Sequence, residues 1–164
     1  MKKIAILLCL FALALTACKA KNEPVEKPEV KTTEETAAET EKPRKEFSVI
    51  GKEAERTADS GIKVTTDESG NAEGGALVKT EAFYYFGGAE LVCIKYINTY
   101  ESPEDAQNAY SEYSEMTDLC VDLSISGYQV TFYASADGMS ENADMSKKDI
   151  RDLAANTGAE IEEF

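Results

Sequence analysis

Thirty-one Asp and Glu residues, four cysteines and no histidine set the chemistry open to this 164-residue chain. Without histidine there is no Ser-His or Cys-His nucleophile pair, no His-ligated zinc and no near-neutral general base of the usual kind. Carboxylate chemistry remains. Paired carboxylates can do acid–base work on a bond between them, and oxygen-rich loops can hold a hard divalent cation. Two loops qualify by composition. Counting from Asp67, residues 67–75 (DESGNAEGG) put Ser69 and Asn71 at positions three and five of an EF-hand loop. Ala72 then stands where the glycine belongs, and Val78 where the bidentate glutamate belongs. Residues 136–146 carry Asp137, Glu141, Asn142 and Asp144 without ligand spacing. Neither loop reads as a metal site, and no spacing singles out a catalytic pair. The expectation is no catalytic residue, no metal and no cofactor.

The sharpest pattern lies at the N-terminus. Lys2 and Lys3 precede an apolar run from Ile4 to Leu15, and small residues Thr16 and Ala17 lead directly into Cys18. A positive start, a short apolar stretch and small residues at its end are the layout of a secretory signal. The run is too short for the roughly 20 residues that a transmembrane helix needs. An ordinary signal ends in an A-x-A-like site; here Leu15-Thr16-Ala17-Cys18 resembles the lipobox of bacterial membrane lipoproteins. The resemblance covers about the first eighteen residues. It implies a signal peptide over 1–17, a diacylglyceryl group on the Cys18 thiol, and a mature chain lipid-anchored to the cell membrane on the extracytoplasmic side of the bacterial envelope. Several acyl chains such as palmitate hold stably, because each buried methylene contributes about 0.8 kcal/mol and one chain alone is marginal. Cys9 falls within the removed segment.

Composition then divides the remainder. Residues 18–46 form a lipidated N-terminus and tether: Lys, Glu, Thr and Pro dominate, Pro24, Pro28 and Pro43 break any helix, and only Val25 and Val30 could pack. Such a segment cannot offset the entropy of ordering it. As a flexible coil it spans about 30 Å. Residues 47–164 are a single domain, large enough for its own core. They hold eight basic residues against 23 acidic ones, a net of −15, and residues 96–146 contain no Lys or Arg at all. Phosphate backbones and anionic lipid surfaces should repel this domain, so no nucleic acid is expected as a partner. Partners that remain are the membrane, through Cys18, and a cationic protein or a small molecule.

Cys93 and Cys120 are the thiols left after lipidation. Export permits a disulfide between them. It requires Cα atoms within about 7 Å. The pair therefore tests the topology, because a strand lying between theirs would hold them about 10 Å apart.

The domain reads as α+β. Phe47, Ile50, Ala54 and Ala58 recur at helical spacing, with Gly51 as a weak point. Ile62 and Val64 begin a strand. Residues 76–86 and 89–99, rich in Val, Ile, Tyr and Phe, flank Gly87-Gly88 as a hairpin. On the second strand Val92, Ile94 and Tyr96 are expected to face the core, with Leu91, Cys93, Lys95 and Ile97 opposite. Ser102-Pro103-Glu104-Asp105 starts a helix over 103–116, by cap, first-turn proline and dipole. Leu119, Val121, Leu123 and Ile125 alternate into a second hairpin through Ser126-Gly127, with residues 128–134 as its return strand. Residues 136–146 read as loop. Ser146, with Asp149 three residues on, opens a last helix whose Ile150, Leu153 and Ala154 face inward and which ends near Gly158. Residues 159–164 add an edge strand.

This predicts an antiparallel sheet of two consecutive hairpins with helices packed on one face, a ββαββα-like order. A ferredoxin-like βαββαβ unit over 89–164 with an added N-terminal strand is the alternative. Functionally the expectation is a membrane-anchored envelope lipoprotein whose domain is not an enzyme but binds or interacts. A small carboxylate- or metal-dependent envelope hydrolase is the alternative.

Overall fold

A computed structural model describes residues 46–70 and 76–164. They form a six-stranded, fully antiparallel open sheet with four helices, an α+β fold as expected. In chain order the elements are α1 (Gly51–Glu55), β1 (Ser60–Asp67), β2 (Leu77–Gly87), β3 (Glu90–Tyr100), α2 (Pro103–Ser114), β4 (Cys120–Ser126), β5 (Gln129–Ala134), α3 (Ala136–Ser140), α4 (Lys147–Thr157) and β6 (Glu160–Glu163). The sheet runs β4-β5-β3-β2-β1-β6.

Both expected hairpins form. Gly88-Ala89 joins β2 to β3 and Gly127-Tyr128 joins β4 to β5, each with the glycine at positive φ where a side chain would be strained. The first of these turns decides the topology. It is local and quick to close, so β2 occupies the edge of β3 that the last strand of a ferredoxin-like unit would take. That unit's order survives only as β4-β5-β3, and β6 pairs at the far edge with β1. The helix signals were legible. Ser102 accepts from the Asp105 amide at the start of α2, and Ser146 and Asp149 form a reciprocal capping box on α4.

Helices cover both faces of the sheet, not one. Side chains alternate along a strand, so Tyr84, Ile94, Phe132 and Ala134 share one face and Phe83, Tyr85, Cys93, Lys95 and Tyr133 the other. On the first, Ile62, Phe86, Leu91, Ile94 and Ala134 pack with Met139 of α3 and Ile150 of α4, while Tyr100 and Val130 pack with Ala106 of α2. On the second, Ala54 of α1 packs with Tyr85, Cys93 and Tyr133. A register shift between Tyr85 and Phe86 turns Leu91 toward the three-helix face and Val92 toward α1, so the expected face assignment of β3 holds for Ile94 and Tyr96 and fails for Leu91 and Val92.

Three further expectations are corrected. The helix expected over 47–58 is five residues long, because Gly51 has φ +63 and Phe47 turns away to join the opposite core. Residues 136–146 are not all loop: Ser135 accepts from the Gly138 amide and caps α3, which buries Met139. Leu153 points outward at 40% exposure, leaving Ile150 and Ala154 to seat α4.

Candidate functional site

Two polar clusters built on tyrosine lie on opposite faces of the sheet. The first is centred on Glu55, the last residue of α1. A five-residue helix is far below the length that is stable alone, so tertiary contacts must hold it. Its N-terminus has no cap from Ile50. Asp122 supplies one from across the sheet: its Oδ2 accepts from the Lys52 amide at 2.8 Å. Asp122 sits at φ +51, a left-handed position that Asp tolerates, within a register shift of β4. That irregularity also splits the expected alternation of β4: Val121 packs under α1, and Leu123 and Ile125 pack under α2. Leu119 lies outside the strand and is 45% exposed.

At the other end of α1 the Glu55 carboxylate accepts from the Tyr85 hydroxyl at 2.7 Å and from the Tyr133 hydroxyl. Lys95 Nζ is 3.6 Å away and lies over the Phe83 and Tyr133 rings. Burial works to raise the Glu55 pKa. The hydrogen bonds from Tyr133 and Tyr85 and the Lys95 charge outweigh it and hold the carboxyl below the ordinary glutamate range. Burial, then the hydrogen bond given to Glu55, pushes both phenols up. Cys93 lies beside this cluster, its Sγ 3.5 Å from the Gly51 carbonyl. Burial, then the Glu55 charge, pushes its thiol up to about 12. A neutral thiol, two neutral phenols and a hydrogen-bonded carboxylate form a clamp on α1, in which neither the thiol nor the phenols are nucleophiles at neutral pH.

The second cluster lies on the three-helix face. There α2 sits over β3, β5 and β4, and α4 over β1 and β6. Between them β2 and β3 present Thr80, Ala82, Tyr84, Tyr96 and Asn98. At one end the polar groups are paired: Thr80 donates to Asn98, Asn98 donates to the Tyr113 hydroxyl at 3.0 Å, and the Tyr113 and Tyr100 hydroxyls are 3.3 Å apart. Tyr84 and Tyr96 differ. Both are half-buried, and neither hydroxyl has a hydrogen-bond partner among the described residues. No side-chain polar atom there is both sealed and unpartnered, so these two hydroxyls open on solvent. Burial alone pushes the Tyr84 phenol up, and burial followed by the nearby Tyr84 pushes Tyr96 up; no charged side chain contributes to either. Phe132 stacks on Tyr96 at 5.1 Å.

The two thiols are free and lie far apart in the fold, which corrects the expected Cys93–Cys120 disulfide. Strand β5 separates β3 from β4. Cys120 reaches the other way, with Sγ 3.2 Å from the Tyr113 carbonyl and 3.3 Å from that of Met116, at and just past the end of α2. Cys18 lies outside the described residues, as do residues 71–75 of the first oxygen-rich loop. Asp67 at its start accepts from the Ser69 amide and hydroxyl. Among the described residues no three Cys, Asp or Glu side chains are grouped as metal ligands. Among the described residues five carboxylates have shifted pKa values, all downward: Glu55 as above, Asp59 through the Gly88 amide, Asp67 through Ser69, Asp149 through Ser146 and Glu163 through Arg151. No helix among the described residues is long and apolar enough to cross a membrane.

No protein-family model matches the chain, and no curated protein or solved structure is significantly similar to it. Nothing in the sequence singles out Glu55, Asp122 or the six tyrosines of these clusters as a site; for Tyr84 and Tyr85 the one signal is the run Phe83-Tyr84-Tyr85-Phe86, which alternation divides between the two faces.

Proposed function

We propose that this chain is a lipid-anchored lipoprotein of the bacterial cell envelope whose acidic domain is a non-enzymatic binding module. The anchor rests on Leu15-Thr16-Ala17-Cys18 at the end of a short apolar run. The binding role rests on one observation. Among the described residues no sealed polar side-chain atom lacks a partner, while the half-buried Tyr84 and Tyr96 hydroxyls bond to no protein group and lie on the sheet face that α2 and α4 also cover. Folded proteins pair their semi-buried polar groups with protein or water, and two adjacent donors kept for something else mark a place for a ligand. Recognition over turnover is supported by the two thiols, which burial keeps protonated, and by the Glu55 carboxylate being engaged by Tyr85, Tyr133 and Lys95.

Two measurements test the two halves. Labelled palmitate fed to cells should enter the wild-type protein and not Cys18→Ala; equal labelling of both would remove the anchor. A small-molecule thermal-shift screen should find compounds that raise the melting temperature with concentration, as any ligand selective for the folded state must. The hits should lose their effect in a variant with Ala82→Leu, which puts a larger side chain beside Tyr84 and Tyr96. Hits that ignore that substitution would place binding elsewhere.

A further inference from the structure

We propose that residues 48–58, with α1 at their centre, form a strap that lifts off the sheet while the rest of the domain stays folded, uncovering Cys93, Tyr85 and Tyr133. This goes beyond the binding-module reading and does not depend on it. Three observations carry it. The first is how little apolar surface holds the strap down. Ala54 is its one fully buried side chain; Ile50 and Ala58 are half-buried, and Val49, Lys52, Glu53 and Arg56 are exposed. A helix of five residues is not stable alone. Its place depends on the Asp122 cap on the Lys52 amide and on the Glu55 carboxylate with Tyr85, Tyr133 and Lys95. Water replaces each of these partners when the strap lifts, so each opposes opening only modestly. The second observation is where the ends are pinned. Before the strap, Phe47 packs into the three-helix core. After it, the Asp59 amide donates to the Phe86 carbonyl at 2.9 Å, and Asp59 Oδ2 accepts from the Gly88 amide at 2.9 Å. Residues 48–58 take no part in the strand pairings among the described residues, so the sheet stays whole when they leave. Gly51, at φ +63, gives the strap a pivot without the steric cost of a side chain. The third observation is what lies beneath. Ala54 packs on Tyr85, Cys93 and Tyr133, all buried. A segment with few apolar contacts, outside the sheet ladder, is the kind that opens ahead of global unfolding.

The test is thiol labelling of the full-length chain under native conditions. Iodoacetamide modification of Cys93 is followed by mass spectrometry of its peptide, at rising urea below the unfolding transition. Global stability and its urea slope are read by circular dichroism on the same protein. A strap that opens alone exposes little surface, so Cys93 should react with a much smaller urea slope than that of global unfolding. Glu55→Gln should speed the reaction roughly tenfold, by weakening the hydrogen bonds that fasten α1. Ile150→Val, in the core of the opposite face, should lower the urea midpoint and leave the Cys93 rate without urea unchanged, because Ile150 keeps its contacts when the strap is open. Cys93 labelling with the slope of global unfolding would overturn the strap. So would acceleration by Ile150→Val in the same proportion as the fold is weakened. An unchanged rate in Glu55→Gln would overturn Glu55 as its fastening.

Discussion

The two faces of the sheet use the same residue type to opposite ends. Tyr85 and Tyr133 on one face give their hydroxyls to Glu55 and so hold α1 against the sheet. Tyr84 and Tyr96 on the other lie half-buried among apolar side chains and give theirs to nothing among the described residues. Tyr84 and Tyr85 are adjacent in the chain. Alternation alone sends one into a structural clamp and the other onto the three-helix face. The comparison separates polar groups that stabilise the fold from polar groups the fold merely carries. Only the second kind is available to a ligand without a stability penalty.

The largest effect should come from the apolar side. Phe86 is fully buried at the centre of the three-helix core, with Lys147 over its ring. Phe86→Ala should destabilise by about 3–5 kcal/mol through lost transfer and a residual cavity, read as a lower urea midpoint at unchanged slope. Gly51→Ala attacks the clamp face. A Cβ there would lie 2.2 Å from Asp122 Oδ2 on a backbone at φ +63. The left-handed strain of about 1–2 kcal/mol, with loss of the Asp122 cap at about 1 kcal/mol, should total about 2–3 kcal/mol. A smaller loss would mean that α1 contributes little to the fold.

The clamp also has a pH signature. The folded pKa of Glu55 lies below its unfolded value, so the unfolded state binds more protons in the window between them. Its contribution is present above the unfolded pKa, near 4.5, and is lost as pH falls through the folded value. Glu55→Gln should therefore cost about 1–2 kcal/mol near neutrality. The gap between variant and wild-type urea midpoints should narrow from pH 6 to pH 3. A gap that stayed constant over that range would mean the carboxylate charge is irrelevant.

The tyrosines then give the most direct contrast, with the smallest effects. Tyr85→Phe and Tyr133→Phe each remove a donor to Glu55 and should cost about 1 kcal/mol. Tyr84→Phe and Tyr96→Phe remove no hydrogen bond within the described protein and should change stability by less than about 0.5 kcal/mol. Equal losses on both faces, measured side by side in urea, would erase the distinction.

Most of the fold could be read from local signals. Strand periodicity in 76–99 and 119–134, the Ser102 and Ser146 caps and the glycines of both hairpins act over a few residues, and the elements formed where they pointed. The misreadings share a cause. Whether 47–58 is one helix depended on Gly51, whose conformation is set by Asp122 some 70 residues away. Which way Leu91 and Val121 face depended on register shifts that an alternating pattern does not reveal. The candidate site was less legible still. Glu55 read as one more surface acid, and the tyrosines as ordinary core and strand residues.

The sequence by itself determined the α+β class, the two hairpins, the strongly acidic domain and the lipobox resemblance ending at Cys18, because these depend on neighbours in the chain or on simple sums over it. Tertiary structure decided that β2 and not β6 borders β3, that β5 keeps the two thiols apart, and that helices cover both faces. It also decided which tyrosine hydroxyls are occupied. A hydroxyl's partner is whatever the fold brings within about 3 Å of it, and for Tyr85 and Tyr133 that partner sits on a helix 30 and 78 residues distant.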